Sequence, residues 1–520
     1  MSVWKRFILL LALFVTGAVV MALEILGAKV IHPFFGVTLY VWAAMIAVTL
    51  FSLSLGYGVG GAIADRFPKA KWFFGLIAFA GILIAAIPWL AGPVMQWTGD
   101  MELRLGVFSS SLFLFALPLA CLGMVSPFGL RLCLADMEKA GFTAGGVYAV
   151  STAGSLFGTL LTAFLLVPSM PISHIFWAMT VLLMITALTG LLMFREIRAG
   201  LLWGALMIVS ILLTALLCHA RVGDASAAKT IYQTNTFYGQ IKVVDTDNLR
   251  ALLIDGSPQG FYLWDEKPDD TFQFFQYESY LSSLLIYRPD LRKILMIGLG
   301  VGRMVALFSR YDVTVDVLEI DPQIAKVNER WFESFPPPAR LTFGDGRHLI
   351  RQRVRRGEKY DAVIIDAFAS YDLPEHLFTV EMFGEIKEVL TAEGILGINI
   401  GGILSGKSSC VPKSVYRTLR TVYGHVQAYD VNARERVDNI VFFASDGPLT
   451  WETDRCRLTP CANQQKLVEV LKANDATPYL AGGNILTDDY NPITVWAVPI
   501  AQEYRRRVLD YFGREIMSEF

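Results

Sequence analysis

The sequence predicts a multi-pass α-helical membrane domain of about seven helices joined to an α/β domain of Rossmann-like type with a small N-terminal β layer. Three observations carry this reading. Apolar runs long enough to cross a bilayer, about 20 residues each, recur from Phe7 to Cys218 with short polar gaps. After Lys229 the charge density becomes that of a soluble domain. Within that second half a Gly-x-Gly-x-Gly loop follows a buried strand, and acidic residues close the strands that come after it. The expected boundaries are 1–218 for the membrane domain, 219–230 for a linker, 231–292 for the β layer and an entry helix, and 293–520 for the nucleoside-binding domain.

Seven stretches qualify as spans: about 7–26, 40–62, 72–92, 106–130, 144–167, 172–194 and 200–218. The first follows Lys5 and Arg6 as a signal peptide would, but more spans succeed it and no small-residue cleavage site stands out, so it reads as an anchor. Basic residues fall in alternate loops: Lys5, Arg6, Arg66, Lys69, Lys71, Arg131, Lys139, Arg195 and Arg198 on one side, against Lys29 and Arg104 on the other. The positive-inside rule then puts the N-terminus in the cytoplasm, and seven spans put the C-terminal domain outside. The lipid bilayer is therefore the first expected partner. Glu24, in the first span or near its outer end, reads equally as a substrate carboxylate and as a structural partner of Lys29. Gly56 to Gly61 and the pair Gly154 and Gly158 place small residues where helices approach closely.

Composition excludes other classes. A net charge of −2 gives no electrostatic footprint for nucleic acid. Six cysteines are too few and scattered for a disulfide framework, although Cys456 and Cys461 lie close enough to pair in an oxidising compartment. With six histidines and no Cys/His spacing of the required kind, no metal site is expected.

The informative segment begins at Lys293. Short alternating runs between Ile231 and Trp264 read as a β-hairpin layer. Lys293 to Ile297 reads as a buried strand, and Gly298, Gly300 and Gly302 form a tight turn into a helix, where backbone N–H groups approach a ligand. The next strand ends in Glu319, 21 residues beyond Gly298, placed to accept both ribose hydroxyls. A third ends in Gly344-Asp345-Gly346, facing an adenine amino group, and a fourth ends in Asp366. Ligands of open α/β sheets bind at such carboxyl ends. Arg303 stands where a dinucleotide fingerprint has its third glycine, which argues against that ligand.

Over roughly 231–402 these residues resemble the spermidine/spermine synthase family, and most of all its bacterial branch fused behind a transporter-like membrane half. Leu252 to Gln259 is similar to the family's Leu-Asp-Gly-x-x-Gln element, Tyr277-Glu278 to its Tyr-His-Glu element, Val317 to Asp321 to its ribose site, and Gly344 to Gly346 to its adenine site. Leu373 to Thr379 and Thr487 to Pro492 resemble patterns of the fused branch. The resemblance implies a class I methyltransferase-type fold in the cell membrane. It also implies aminopropyl transfer from decarboxylated S-adenosylmethionine, or a related adenosyl sulfonium co-substrate, to an amine acceptor. No prosthetic group is implied, and a homodimer is among the partners it allows. Tyr238, Gln259, Tyr277 and Glu375 are the expected acceptor-binding residues.

This chain departs from that pattern at three places. Val301 replaces the loop carboxylate that pairs with the donor's ammonium, Ala369 replaces the second carboxylate after Asp366, and Gly239 follows Tyr238 where the family has glutamine. An amine must lose a proton before it attacks, so another carboxylate or base is required. The candidates are Asp366, His376, Asp488 and Asp489, the last two in a turn able to fold over the cleft. Methyl transfer from S-adenosylmethionine, and a non-enzymatic transporter or sensor, are the competing expectations.

Overall fold

The computed structural model describes residues 2–35, 39–99, 101–134, 140–196, 199, 202–206, 228–264, 276–333, 336–368, 373–431, 437–452 and 461–513. The chain divides into two compact units, the first essentially residues 1–227 and the second residues 238–512 with 228–233.

Among the described residues of the first unit, six helices are long and apolar enough to cross a membrane: Val3–Phe35, Leu39–Arg66, Ala70–Thr98, Leu103–Cys133, Gly141–Ser169 and Ile172–Met193. The expected seventh span, 200–218, falls mostly outside the described residues, of which only 202–206 are helical there. Glycine decides how closely these helices meet. A Cβ on Gly154 would sit 2.0 Å from the Phe14 carbonyl oxygen, and one on Gly158 would sit 2.3 Å from that of Ala18. The first and fifth helices therefore run parallel in backbone contact. Gly56 and Gly60 bring the second helix equally close to Ala120 and Met124 of the fourth, while Gly58 and Gly61 face open space. Leu50, Phe51 and Phe113 are among many large side chains left exposed, as expected of helices that face hydrocarbon. The fifth helix is interrupted by a π turn at Thr162–Leu166.

The second unit opens with a four-stranded antiparallel layer, β1 (Ala228–Asn235), β2 (Gln240–Thr246), β3 (Leu249–Ile254) and β4 (Ser257–Leu263), ordered as in the chain. The main sheet has seven strands: β5 (Lys293–Ile297), β6 (Thr314–Glu319), β7 (Arg340–Phe343), β8 (Tyr360–Ile365), β9 (Leu390–Gly402), β10 (His425–Asp430) and β11 (Asp438–Ser445). Their order is β10-β11-β9-β8-β5-β6-β7. The five strands from β5 to β9 are mutually parallel, and β11 and β10 add an antiparallel edge.

Strands of a parallel sheet are buried on both faces, so successive side chains feed two cores. Ile294, Met296, Val315, Val317 and Ile364 join Phe308 and Val305 on one face. Leu295, Ile297, Leu318, Ile365 and Leu396 join Phe383 and Ile386 on the other. This packing holds the carboxyl ends of β5, β6 and β8 at one level. Gly298 N donates to Leu318 O (2.9 Å), Gly344 N to Glu319 O (2.9 Å) and Asp366 N to Ile297 O (3.0 Å).

Candidate functional site: a nucleoside-sized cleft at the strand ends

A cleft of about 330 Å³ opens at that level, within the range of small-molecule pockets. Its floor is the turn after β5. Gly298 adopts φ 97° and Gly300 φ 53°, conformations that an L side chain rarely takes. A Cβ on Gly298 would also lie 2.2 Å from the Asp366 carbonyl oxygen. Asn328 Nδ2 holds the turn from behind by donating to Gly300 O at 2.9 Å.

Glu319 is buried beside this turn. Its Oε2 accepts from Leu299 N and its Oε1 from Asp321 N, both at 2.9 Å. Burial pushes its carboxyl above the usual range, and those two N–H groups pull partly back. Asp345 caps the helix Gly346–Arg355 through His348 N (2.9 Å), which leaves Oδ2 to meet His376 Nε2 at 2.9 Å.

Asp366 lines the cleft at the end of β8. Oδ2 accepts from the Tyr277 hydroxyl at 3.3 Å and Oδ1 from Asn399 Nδ2 at 2.9 Å. Burial raises its pKa, opposed by those two hydrogen bonds. Asn399 Oδ1 in turn accepts from Asn439 Nδ2 (2.8 Å), and Asn439 Oδ1 accepts from the Tyr504 hydroxyl (3.3 Å). Beneath Tyr277, Glu278 and Arg303 form a buried ion pair at 3.0 Å. Glu319 and Asp345 thus stand on one side of the glycine turn and a half-buried carboxylate with neutral donors on the other.

Residues 275–446 match the model of the spermine/spermidine synthase domain. That match lies wholly within the second unit. A polyamine aminopropyltransferase of Vibrio vulnificus is 32% identical over 195 residues, covering 36% of this chain and 65% of its own length. One from Pyrobaculum aerophilum is 26% identical over 175 residues, covering 32% of this chain and 57% of its own length. The chain therefore spans less than two thirds of the length of each of these relatives. A solved probable spermidine synthase from Corynebacterium glutamicum aligns at 19% identity and a TM-score of 0.40, covering 50% of this chain and 96% of that one.

The second unit brings most of the sequence-expected residues to one place. Gly298, Gly300, Glu319, Asp345, Gly346 and Asp366 line the cleft, and so do Tyr238, Gln259, Tyr277 and His376. Gly302, at φ 86°, starts the following helix instead of lining the cavity. Glu375 is exposed at the rim, where its carbonyl accepts from Asn491 Nδ2 at 2.7 Å.

Two expected carboxylates are placed elsewhere. Asp488 grips Arg347 with both oxygens (2.6 and 2.8 Å) and accepts from Thr379 Oγ1 at 2.9 Å. The Arg347 hydrogen bonds hold its carboxyl below the usual range. Asp489 is exposed, and neither residue is among those that line the cleft. The turn at 487–490 clasps the helix Gly346–Arg355 and does not cover the site.

Val301, at the loop position expected to hold a carboxylate, packs into the β layer, where a Cβ on Gly260 would touch its Cγ2 at 2.5 Å. Ala369, Cys456 and the Cys461 side chain lie outside the described residues. Sequence reasoning missed Asn399, Asn439 and Tyr504. Asn399 gave a signal, being a polar residue inside the apolar run Ile395 to Ile400.

Proposed function

We propose that the second unit transfers an aminopropyl group from decarboxylated S-adenosylmethionine to an amine, with Asp366 as the carboxylate that receives the amine's proton. The observation that carries this is Asp366 itself, half-buried between Tyr277 and Asn399, its N–H donating to Ile297 O just before the glycine turn. Glu319 would hold the ribose hydroxyls and Asp345 the adenine edge, with His376 beside it. Tyr238, Gln259 and Tyr277 would line the acceptor side, and Glu375 its rim.

The chemistry balances without a metal. The amine nitrogen forms a bond to the propyl carbon next to the sulfonium. The carbon–sulfur bond breaks with its electron pair going to sulfur, and methylthioadenosine leaves neutral. The proton shed by the nitrogen passes to Asp366. Burial favours the neutral carboxyl, which suits Asp366 to accept that proton near neutral pH.

A second reading is methyl transfer from S-adenosylmethionine, favoured by one observation: Val301 offers no partner for an aminopropyl ammonium. We place the protein in a bacterial cell membrane with the N-terminus in the cytoplasm, on the nine-to-two asymmetry of loop charges.

The test supplies each donor separately to the purified chain with putrescine and with spermidine. Methylthioadenosine is the expected product. S-adenosylhomocysteine from S-adenosylmethionine, with no methylthioadenosine from the decarboxylated donor, would establish the second reading instead.

A further inference from the structure

We infer that Asn399, Asn439 and Tyr504 form a one-way hydrogen-bond line that positions Asp366, with Tyr504 on the C-terminal helix as its anchor. The inference deepens the reading of Asp366 as the reacting carboxylate.

The direction of the line follows from donor chemistry. An ionised carboxylate only accepts, so Asn399 must turn its amide nitrogen toward Asp366 and its oxygen away. That oxygen needs a donor, which Asn439 supplies with its own nitrogen. The Asn439 oxygen then needs one too, and the Tyr504 hydroxyl supplies it. Three donors point the same way, their positive ends toward Asp366, and each strengthens the next.

Each link belongs to a different element. Asp366 follows β8, Asn399 lies on β9, Asn439 on β11, and Tyr504 on the helix Ile493–Phe512. The antiparallel register sets Asn439 opposite Gly401, two residues beyond Asn399 on the same face. Gly401 makes the room: a Cβ there would lie 2.9 Å from Tyr504 Cε2. The same helix lends Ala497 and Ile500 to the cleft wall, so its seating and the orientation of Asp366 are joined.

Several charged or titratable groups lie nearby. Tyr277 meets Asp366, with the Glu278–Arg303 pair behind it. Glu319, Asp321 and Asp345 line the same cleft. Asp430, Asp438 and Arg507 act on Tyr504. None of these is altered by Tyr504→Phe, which keeps the ring and deletes the terminal donor.

The test is the titration of Asp366 in the purified full chain, read as the infrared carboxyl difference between each protein and its Asp366→Asn derivative. Removing hydrogen bonds to the charged form raises a carboxyl pKa. Asn439→Ala is expected to move the midpoint up by about one pH unit, and Tyr504→Phe by a smaller step in the same direction. If methylthioadenosine is formed, the acid limb of its pH–rate profile moves up with them. A merely structural tyrosine would lower thermal stability and leave the midpoint in place. Unchanged midpoints in both variants would overturn the inference. A shifted midpoint in a chain that forms no methylthioadenosine would uphold the positioning line and remove the proposed reaction.

Discussion

The Tyr277 hydroxyl and the Asn399 amide meet opposite oxygens of the Asp366 carboxylate, at 3.3 and 2.9 Å. Two neutral donors thus hold a charge that burial would otherwise suppress. Removing one donor is expected to tilt the balance toward the protonated form. Tyr277→Phe should lower turnover most at mildly acidic pH and least in alkaline buffer. The check is the pH dependence of kcat/KM for methylthioadenosine formation, in which the acid limb moves upward. A uniform loss at every pH would assign Tyr277 to acceptor binding alone.

Nucleoside affinity is expected to depend on the other side of the glycine turn. Glu319→Ala and Asp345→Ala should each weaken methylthioadenosine binding by about 1.5–3 kcal/mol, the worth of a hydrogen bond to a charged group. Calorimetry on the purified chain measures this. Unchanged affinity in both variants would remove the ribose and adenine assignments.

Asp488 and Asp489 separate stability from turnover. Asp488→Asn breaks a bidentate pair and leaves Arg347, itself buried, with Glu385 at 2.8 Å as its remaining carboxylate. The expected result is a lower Tm with kcat nearly preserved, whereas Asp489→Asn should change neither. Loss of turnover at an unchanged Tm would return the 487–490 turn to the catalytic site.

The start of β8 carries an acid-sensitive contribution. Burial works to raise the pKa of Glu358, but hydrogen bonds from Arg340 and Tyr360 and the charges of Arg353 and Arg340 prevail and lower it to about 2. A depressed folded-state pKa stabilises above the unfolded value of 4.5, and that stability is lost as pH falls toward about 2. Glu358→Gln should therefore lower Tm at pH 7, with variant and wild type converging in acid. Thermal unfolding across that range is the check.

In the first unit, glycine spacing makes a paired prediction. Gly154→Val places its branched side chain against the Phe14 backbone and should destabilise by about 1–3 kcal/mol or more. Gly58→Ala meets open space and should be neutral. Thermal unfolding in detergent distinguishes the two.

The sequence made the fold class legible because its strongest signals are local. Apolar length marked the six described helices able to cross a membrane, and the run Lys293 to Gly302 shows a buried strand followed by glycines that adopt positive φ. The placement of Glu319 and Asp345 at the cleft was readable because Glu319 ends β6 and Asp345 follows β7, the two strands beyond that turn. Residues whose roles depend on distant partners were not readable. Asp488 sits 141 residues from Arg347, and no local pattern announces that the helix Gly346–Arg355 will capture it. Tyr504 is 65 residues from Asn439 and joins Asp366 only through the antiparallel pairing of β9 with β11. The departure at Val301 was visible, but its burial against Gly260 depends on how the β layer meets the loop.

One comparison tests the central claim most directly: Asp366→Asn against wild type, each assayed for methylthioadenosine binding and for aminopropyl transfer from decarboxylated S-adenosylmethionine. The side chain keeps its size and loses its proton-accepting charge. Binding within about twofold of wild type, with transfer reduced about 10²–10⁴-fold, is the expected result. Transfer at the wild-type rate would contradict the assignment of Asp366 as the reacting carboxylate.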